Sequence, residues 1–390
     1  MYSFLLLLIY IAFISLGLPD SLLGSGWPVM HLDFQVPLAS LGIITMVISG
    51  CTILSSLLSD KLTRKFGTSI VTVFSVFLTA IALLGFSFAD AFWMLLLLSL
   101  PYGFGAGAID AALNNYVALH YTSKHMSWLH SFWGVGTIIS PFVMSYALAN
   151  SVWNDGYRIV ALIQFGIGLL LLFTLPVWKW NKKNIRIKET QKQVSISGAL
   201  KIKGVPFLLI GFFAYCAAEA TAMGWSATYF SQVKNMDGQT SAALASLVFI
   251  GLTAGRFLGG FLTDKFGDRK MILIGTFIAF CGIILLLLPL EKSWISVLGF
   301  LILGFGYAPI YPCIIHATPS NFGSENSGAI IGIQMASAYI GSTFMPPLYG
   351  ILGKYFGYSF MPVFLLLFLG LMIYMIEKTF RKGRSVKASL

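Results

Sequence analysis

Charge is scarce in this sequence. Only 10% of its 390 residues are Asp, Glu, Lys or Arg, and 57% are hydrophobic; a soluble domain carries roughly 25% charged residues. An ordinary water-soluble globule is thereby excluded. Cysteine is scarce too. Cys51, Cys216, Cys281 and Cys313 all fall inside apolar runs with no metal-ligand spacing, so they read as small packing residues, with neither a disulfide framework nor a metal site implied. The amino terminus, Met1-Tyr2-Ser3, lacks the basic region that opens a secretion signal. Its apolar run continues past signal length through Pro19 and Asp20, and is expected to be a retained span. No HExxH, GxSxG or paired-Asp motif of an intramembrane hydrolase appears, so an enzyme is not expected, and no cofactor is called for.

What fills the chain instead is a series of apolar runs of about twenty residues, the length at which a helix crosses a bilayer. Twelve are read, over 3–26, 38–59, 68–88, 91–119, 126–149, 157–178, 205–232, 240–263, 270–290, 294–316, 325–352 and 358–377. The fold class is an all-α membrane protein of twelve transmembrane helices. The net charge of +11 would suggest nucleic acid as a partner of a soluble protein. Location argues otherwise. Of the 25 basic residues, 20 lie in 59–67, 120–125, 179–204, 264–270 and 378–390, all on one side of the spans. The other side holds Arg158, Lys234, Lys292 and Lys354, and Arg256 lies within a span. The positive-inside rule makes that basic side cytoplasmic, with both termini and the central loop. The chain is expected in the plasma or inner cell membrane, its basic excess against anionic lipid and not nucleic acid.

The longest polar stretch, 179–204, divides the spans into six and six. The expected organisation is a bundle over 1–178, a cytoplasmic central loop over 179–204, a second bundle over 205–378 and a cytoplasmic tail over 379–390. The halves echo each other at about 200 residues. "KFG" at 65–67 recurs at 265–267, and "GFG" at 103–105 recurs at 304–306. Asp20 before Trp27 is matched by Glu219 before Trp225, and Pro141 by Pro346.

Of fourteen acids, only Asp20, Asp110 and Glu219 fall well inside spans. An ionised group there costs on the order of 3 kcal/mol even on insertion scales, so such residues face a cavity and usually serve a function. At about 1.5 Å per residue, Asp20 sits in the outer half of its span, Asp110 in the inner half and Glu219 near the centre. Acids staggered in depth suit proton carriers, because burial disfavours the charged form of a carboxyl. Arg256 is the one base within a span, and its position reads as too near the cytoplasm to neutralise them. In "GFGAGAIDAALNNY", Asn114 lies one turn beyond Asp110 on the same face, beside Asn115, and together they offer the donors and acceptors that hydroxyl-rich ligands require. Trp27, Trp133 and Trp225 suit either an interfacial belt or the apolar face of a sugar ring. His130 is either a helix-end histidine or a site residue, and His316 is similar but nearer the cytoplasm. Tyr307, Tyr311 and Gln334 are candidates by their repeat positions. Pro19 removes a helical hydrogen bond beside Asp20 and should kink span one; Pro309 and Pro312 should do so in span ten, and Pro346-Pro347 in span eleven.

The stretch "GRFLGGFLTDKFGDRK" (255–270) resembles the short inter-helix motif of the major facilitator superfamily, with Gly260, Asp264, Lys265, Gly267 and Arg269 in its pattern. That resemblance implies two six-helix bundles related by a pseudo-two-fold axis, a substrate site near the membrane midplane, and alternating access. It also implies a cytoplasmic gate in which Asp264 pairs with Arg256, alongside Lys265 and Arg269, and a monomer as the usual state. In the first half the motif departs, with Arg64 at the Asp position and Asp60 at the Gly position. More narrowly, Asp20 with the span-four pattern, and "WLHSFWGVG" around His130, resemble the fucose–proton symporter family. This implies proton coupling by Asp20 and Asp110, with Glu219 a further candidate, and sugar binding by Asp20, Asp110, Asn114 and His130. Asp110 stands where Glu is commoner, and Asn115 where Pro is frequent. The expected activity is proton-coupled symport of a sugar or similar polyhydroxylated molecule. The alternative is a proton antiporter exporting drugs, metabolites or lipid precursors, although "GVGTIISPFVM" lacks the Gly-Pro that such exporters usually carry in span five.

Overall fold

A computed structural model describes residues 2–178, 194–288 and 292–387. Among these residues, twelve helices are long and apolar enough to cross a membrane: Ser3–Asp33, Leu38–Phe66, Thr68–Phe86, Phe92–His120, Ser123–Asn150, Trp153–Phe173, Val205–Lys234, Ala243–Phe266, Asp268–Leu287, Ser293–Phe322, Ser324–Phe356 and Tyr358–Lys382. They are called spans one to twelve. Most of the expected 179–204 loop (179–193) lies outside the described residues, as does the end of the expected tail (388–390); before that end the last helix continues to Lys387. Large apolar side chains such as Phe74, Phe142, Phe173 and Phe277 are exposed on the helix surfaces, as lipid-facing positions require. All four cysteines are free thiols.

Span one consists of two helices, Tyr2–Asp20 and Leu22–Asp33, interrupted at Ser21. Span ten likewise divides into Ser293–Tyr307 and Ile310–Phe322 around Ala308-Pro309. Both interruptions are where proline withdraws a backbone donor. Span eleven differs from expectation: its helix runs from Ser324 to Phe356 straight through Pro346 and Pro347.

Chain contacts divide the molecule into two compact units, Met1–Tyr116 with Phe132–Gln193, and Val117–Ser131 with Val194–Leu390. The end of span four and the start of span five thus belong with the second unit, not with the first six spans as the sequence suggested. Inside each unit the close helix approaches repeat. A β-carbon added to Gly103 would fall 2.4 Å from the Ile48 carbonyl oxygen, and one added to Gly304 would fall 2.3 Å from that of Val248. Spans two and four therefore touch backbone to backbone, as do eight and ten, and only glycine permits this. The first of these contacts is further tied by hydroxyls: Thr52, Ser56 and Ser59 donate to the carbonyls of Gly103, Gly107 and Ala108 at 3.1–3.2 Å. The "KFG" echo also has a backbone cause. Gly67 (φ 87°, ψ 150°) and Gly267 (φ 76°, ψ 158°) end spans two and eight in a conformation open to glycine alone.

Candidate functional site

In the first unit the site is built around the break in span one. Asp20 is the last residue of its helix, and its carboxylate is exposed. Oδ2 accepts a hydrogen bond from Trp133 Nε1 at 2.8 Å, and Oδ1 one from the Tyr102 hydroxyl at 3.1 Å. Spans one, four and five are thereby joined at one carboxylate by two neutral donors. Trp133 is thus an Asp20 ligand. Tyr102 was not singled out from sequence, though it lies on the same i+4 ladder as Asp110 and Asn114. Asp110 is 4% exposed, and its Oδ1 accepts from Asn114 Nδ2 at 2.8 Å. Asn114 is fully buried and donates also to the Asp110 carbonyl; Asn115, the next residue, is half-buried.

In the second unit Glu219 and Arg256 form a salt bridge of 3.0 Å, with Arg256 only 5% exposed. This corrects two expectations at once. Arg256 does reach an intramembrane acid, Glu219, while Asp264 bonds to Thr122 and to the Lys124 backbone. One hydroxyl, that of Tyr215, lies 2.8 Å from Glu219 Oε1 and 2.9 Å from the Tyr307 carbonyl oxygen. The Arg256 guanidinium stands 5.9 Å from the centre of the Tyr311 ring, and the buried His130 ring lies nearly perpendicular to the same ring, centroids 4.8 Å apart. Glu219, Arg256, His130, Tyr307 and Tyr311 are therefore one cluster.

Three candidates lie elsewhere. Trp27 is 1% exposed in a core of Leu, Met and aromatic residues, with its Nε1 on the Leu38 carbonyl at 2.7 Å; it packs and cannot stack on a ligand. Trp225 stacks on Tyr358 and donates to the Pro346 carbonyl at 2.8 Å. Gln334 is fully buried and accepts from Thr318 at 3.0 Å.

The motif region holds the segment 117–131. Asp264 accepts from Thr122 Oγ1 at 3.1 Å and from the Lys124 backbone N–H at 3.2 Å. Asp268, which the sequence reading passed over, accepts from Ser123 at 2.5 Å and pairs with His316 Nδ1 at 2.7 Å. His316 Nε2 lies 3.1 Å from the Tyr121 carbonyl oxygen. Gly260 leaves room for the Trp128 indole, which an added β-carbon would meet at 2.5 Å. Arg269 makes a two-pronged contact with Glu377 at 3.0 and 2.6 Å, and the exposed Lys265 lies over the Phe266 ring. In the first half Asp60 and Arg64, the two departures from the motif, bond to each other at 3.0 Å.

Twelve helices long and apolar enough to cross a membrane, with carboxylates among them, make up a polytopic membrane protein. The chain belongs to the Major Facilitator Superfamily, whose family model matches residues 9–253 and 208–389. It is 26% identical to the uncharacterized transporter y4wD of Sinorhizobium fredii, over 84% of this chain and 85% of that one. To a Helicobacter pylori protein bearing the name glucose/galactose transporter it is 27% identical, over 64% of this chain and 66% of the other. Its fold is that of the Escherichia coli fucose:proton symporter FucP (TM-score 0.79, 17% identity, 98% of each chain). The proton:xylose symporter XylE also shares it (TM-score 0.76, 12% identity, 95% of this chain and 94% of that one). The protein is a membrane transporter and not an enzyme.

Proposed function

We propose that the protein is a proton-coupled symporter of a sugar or similar polyhydroxylated small molecule, working by alternating access with both termini in the cytoplasm. The observation that carries this reading is the Asp20 carboxylate at the break of span one, held by the indole of Trp133 and the phenol of Tyr102. An exposed acid with neutral donors, inside an apolar span, can take a proton without leaving a second buried charge behind. Asp110, which is buried and accepts from the Asn114 amide, is the second candidate acid. Carboxylate, amide, phenol and indole are also the groups that bind hydroxyls and sugar faces. The names of the relatives point the same way, since FucP and XylE are proton symporters of sugars. Driving force is sufficient: one proton moving down 100 mV releases about 2.3 kcal/mol.

Asp110→Asn tests the reading. The amide keeps the partner Asn114 but cannot carry a proton, so uphill uptake in proteoliposomes is expected to vanish while exchange across equal concentrations persists. Undiminished proton-driven accumulation by this variant would remove Asp110 from the coupling step.

A further inference from the structure

We propose that His316 and Asp268 form a proton-dependent latch on the turn between spans four and five, holding the turn while they share one proton beyond a carboxylate and a neutral ring, and releasing it when that proton leaves. The inference goes beyond the symport reading. It needs no sugar, and every group in it belongs to the second compact unit.

Both ring nitrogens of His316 face oxygens that accept. Nδ1 lies 2.7 Å from Asp268 Oδ2, and Nε2 lies 3.1 Å from the Tyr121 carbonyl oxygen. A neutral imidazole has one N–H and one lone pair. It satisfies one of these contacts and turns its lone pair on the other. With a second proton both nitrogens donate, and the bond to Asp268 becomes charge-assisted. The count is the same if that proton rests on Asp268 instead of the ring, so it belongs to the pair. When it leaves, the remaining N–H is better spent on the carboxylate than on a carbonyl, and the Tyr121 contact is the one lost.

Tyr121 opens a run of four residues, Tyr121 to Lys124, that spans eight to ten hold. Thr122 Oγ1 and the Lys124 N–H donate to Asp264 at 3.1 and 3.2 Å, and Ser123 Oγ donates to Asp268 Oδ1 at 2.5 Å. Asp268 thus carries the ring on one oxygen and the turn on the other. The side chains of His316 and Asp268 are 20% and 16% exposed, so their proton can exchange with water on the side of the basic loops, cytoplasmic under the topology proposed above. The charged or titratable groups that reach the ring are Asp268 and Asp264, from spans nine and eight. Around them stand Cys313, whose Sγ lies 3.8 Å from Ser123 Oγ, and from the turn Lys124 and His125, the latter edge-on to the Tyr121 ring and within electrostatic reach of Asp264. Since the latched arrangement holds the extra proton, low pH on that side favours it and high pH frees the turn. In a transporter this makes movement of the turn responsive to the pH of that side.

The test is hydrogen–deuterium exchange of the full chain in detergent from about pH 5 to 8, corrected for the intrinsic pH dependence of exchange. The reporters are the Lys124 and His125 amides, bonded to Asp264 and to the Thr122 carbonyl. Their protection is expected to fall by about 10- to 100-fold as pH rises, with the midpoint at which the His316 ring titrates by NMR. His316→Gln, which keeps a donor but cannot gain a proton, should show the low protection at every pH. His125→Gln should keep the dependence of the unaltered protein. Protection that stays constant while His316 titrates would overturn the proposal, as would a ring that does not titrate across the range. A pH dependence that survives His316→Gln would overturn it too. If His316→Gln fails to fold, agreement or disagreement between the two midpoints of the unaltered protein decides. No substrate is used, so the outcome is independent of the symport reading.

Discussion

A carboxylate inside an apolar span needs hydrogen-bond donors around it, and the three intramembrane acids of this chain have different ones. Asp20 has an indole and a phenol, Asp110 an amide one turn along its own helix, and Glu219 a guanidinium from the neighbouring span. Neutral donors leave a carboxyl free to take a proton; a guanidinium binds it to the fate of a second charge. Hydrogen bonds to a charged group contribute about 1.5–3 kcal/mol. Trp133→Phe and Tyr102→Phe are therefore each expected to weaken substrate uptake by about 10- to 100-fold, read as KM and maximal rate of sugar uptake. Unchanged kinetics in both would mean that Asp20 works without its donors. The acids were legible in the sequence because charge is rare in apolar runs. Their partners were not. Tyr102 is an ordinary residue for a span and stands 82 positions from Asp20, and the pairing of Arg256 with Glu219 depends on how far a long side chain reaches along its helix, which a depth count by residue rise does not include.

Helix ends and helix contacts follow from glycine and proline here. The breaks beside Asp20 and at Ala308-Pro309 were readable because proline removes a specific hydrogen bond. The uninterrupted helix through Pro346-Pro347 was not, because packing against its neighbours decides whether the lost bond becomes a break; Trp225 donates to the Pro346 carbonyl from span seven. The "GFG" and "KFG" echoes reported structure faithfully, since a contact of backbone on backbone and a positive φ both exclude every side chain. Two substitutions separate these causes. Gly304→Ala forces a β-carbon against the Val248 carbonyl, and overpacking of this kind costs about 1–3 kcal/mol. Gly267→Ala meets no neighbour within 4 Å but retains a φ of 76°, with a backbone cost of about 1–3 kcal/mol. Both should lower Tm in detergent, whereas Gly259→Ala, in open space at an ordinary φ, should leave it unchanged. Equal Tm values for all three would contradict the packing and backbone arguments together.

On the scale of the whole molecule, apolar length was enough to read twelve spans from sequence, and the family came from the resemblance of the 255–270 stretch to a known inter-helix motif. The division into two compact units follows contacts that a sequence does not display. A polar loop is visible in sequence, whereas the membership of Val117–Ser131 in the second unit comes from side chains that meet across long separations, such as Ser123 with Asp268 and Trp128 with Phe257. That gathering places Asp264, Asp268 and His316 around the turn between spans four and five, where conventional motif reading would have looked to Arg256. The central claim is that proton entry drives sugar entry, and the most direct measurement is uptake of a labelled sugar into proteoliposomes under an imposed pH gradient, alkaline inside. Transient accumulation above the external concentration, abolished by a protonophore, is the expected result. For a sugar shown to equilibrate across the membrane, an identical plateau with and without the gradient would contradict it.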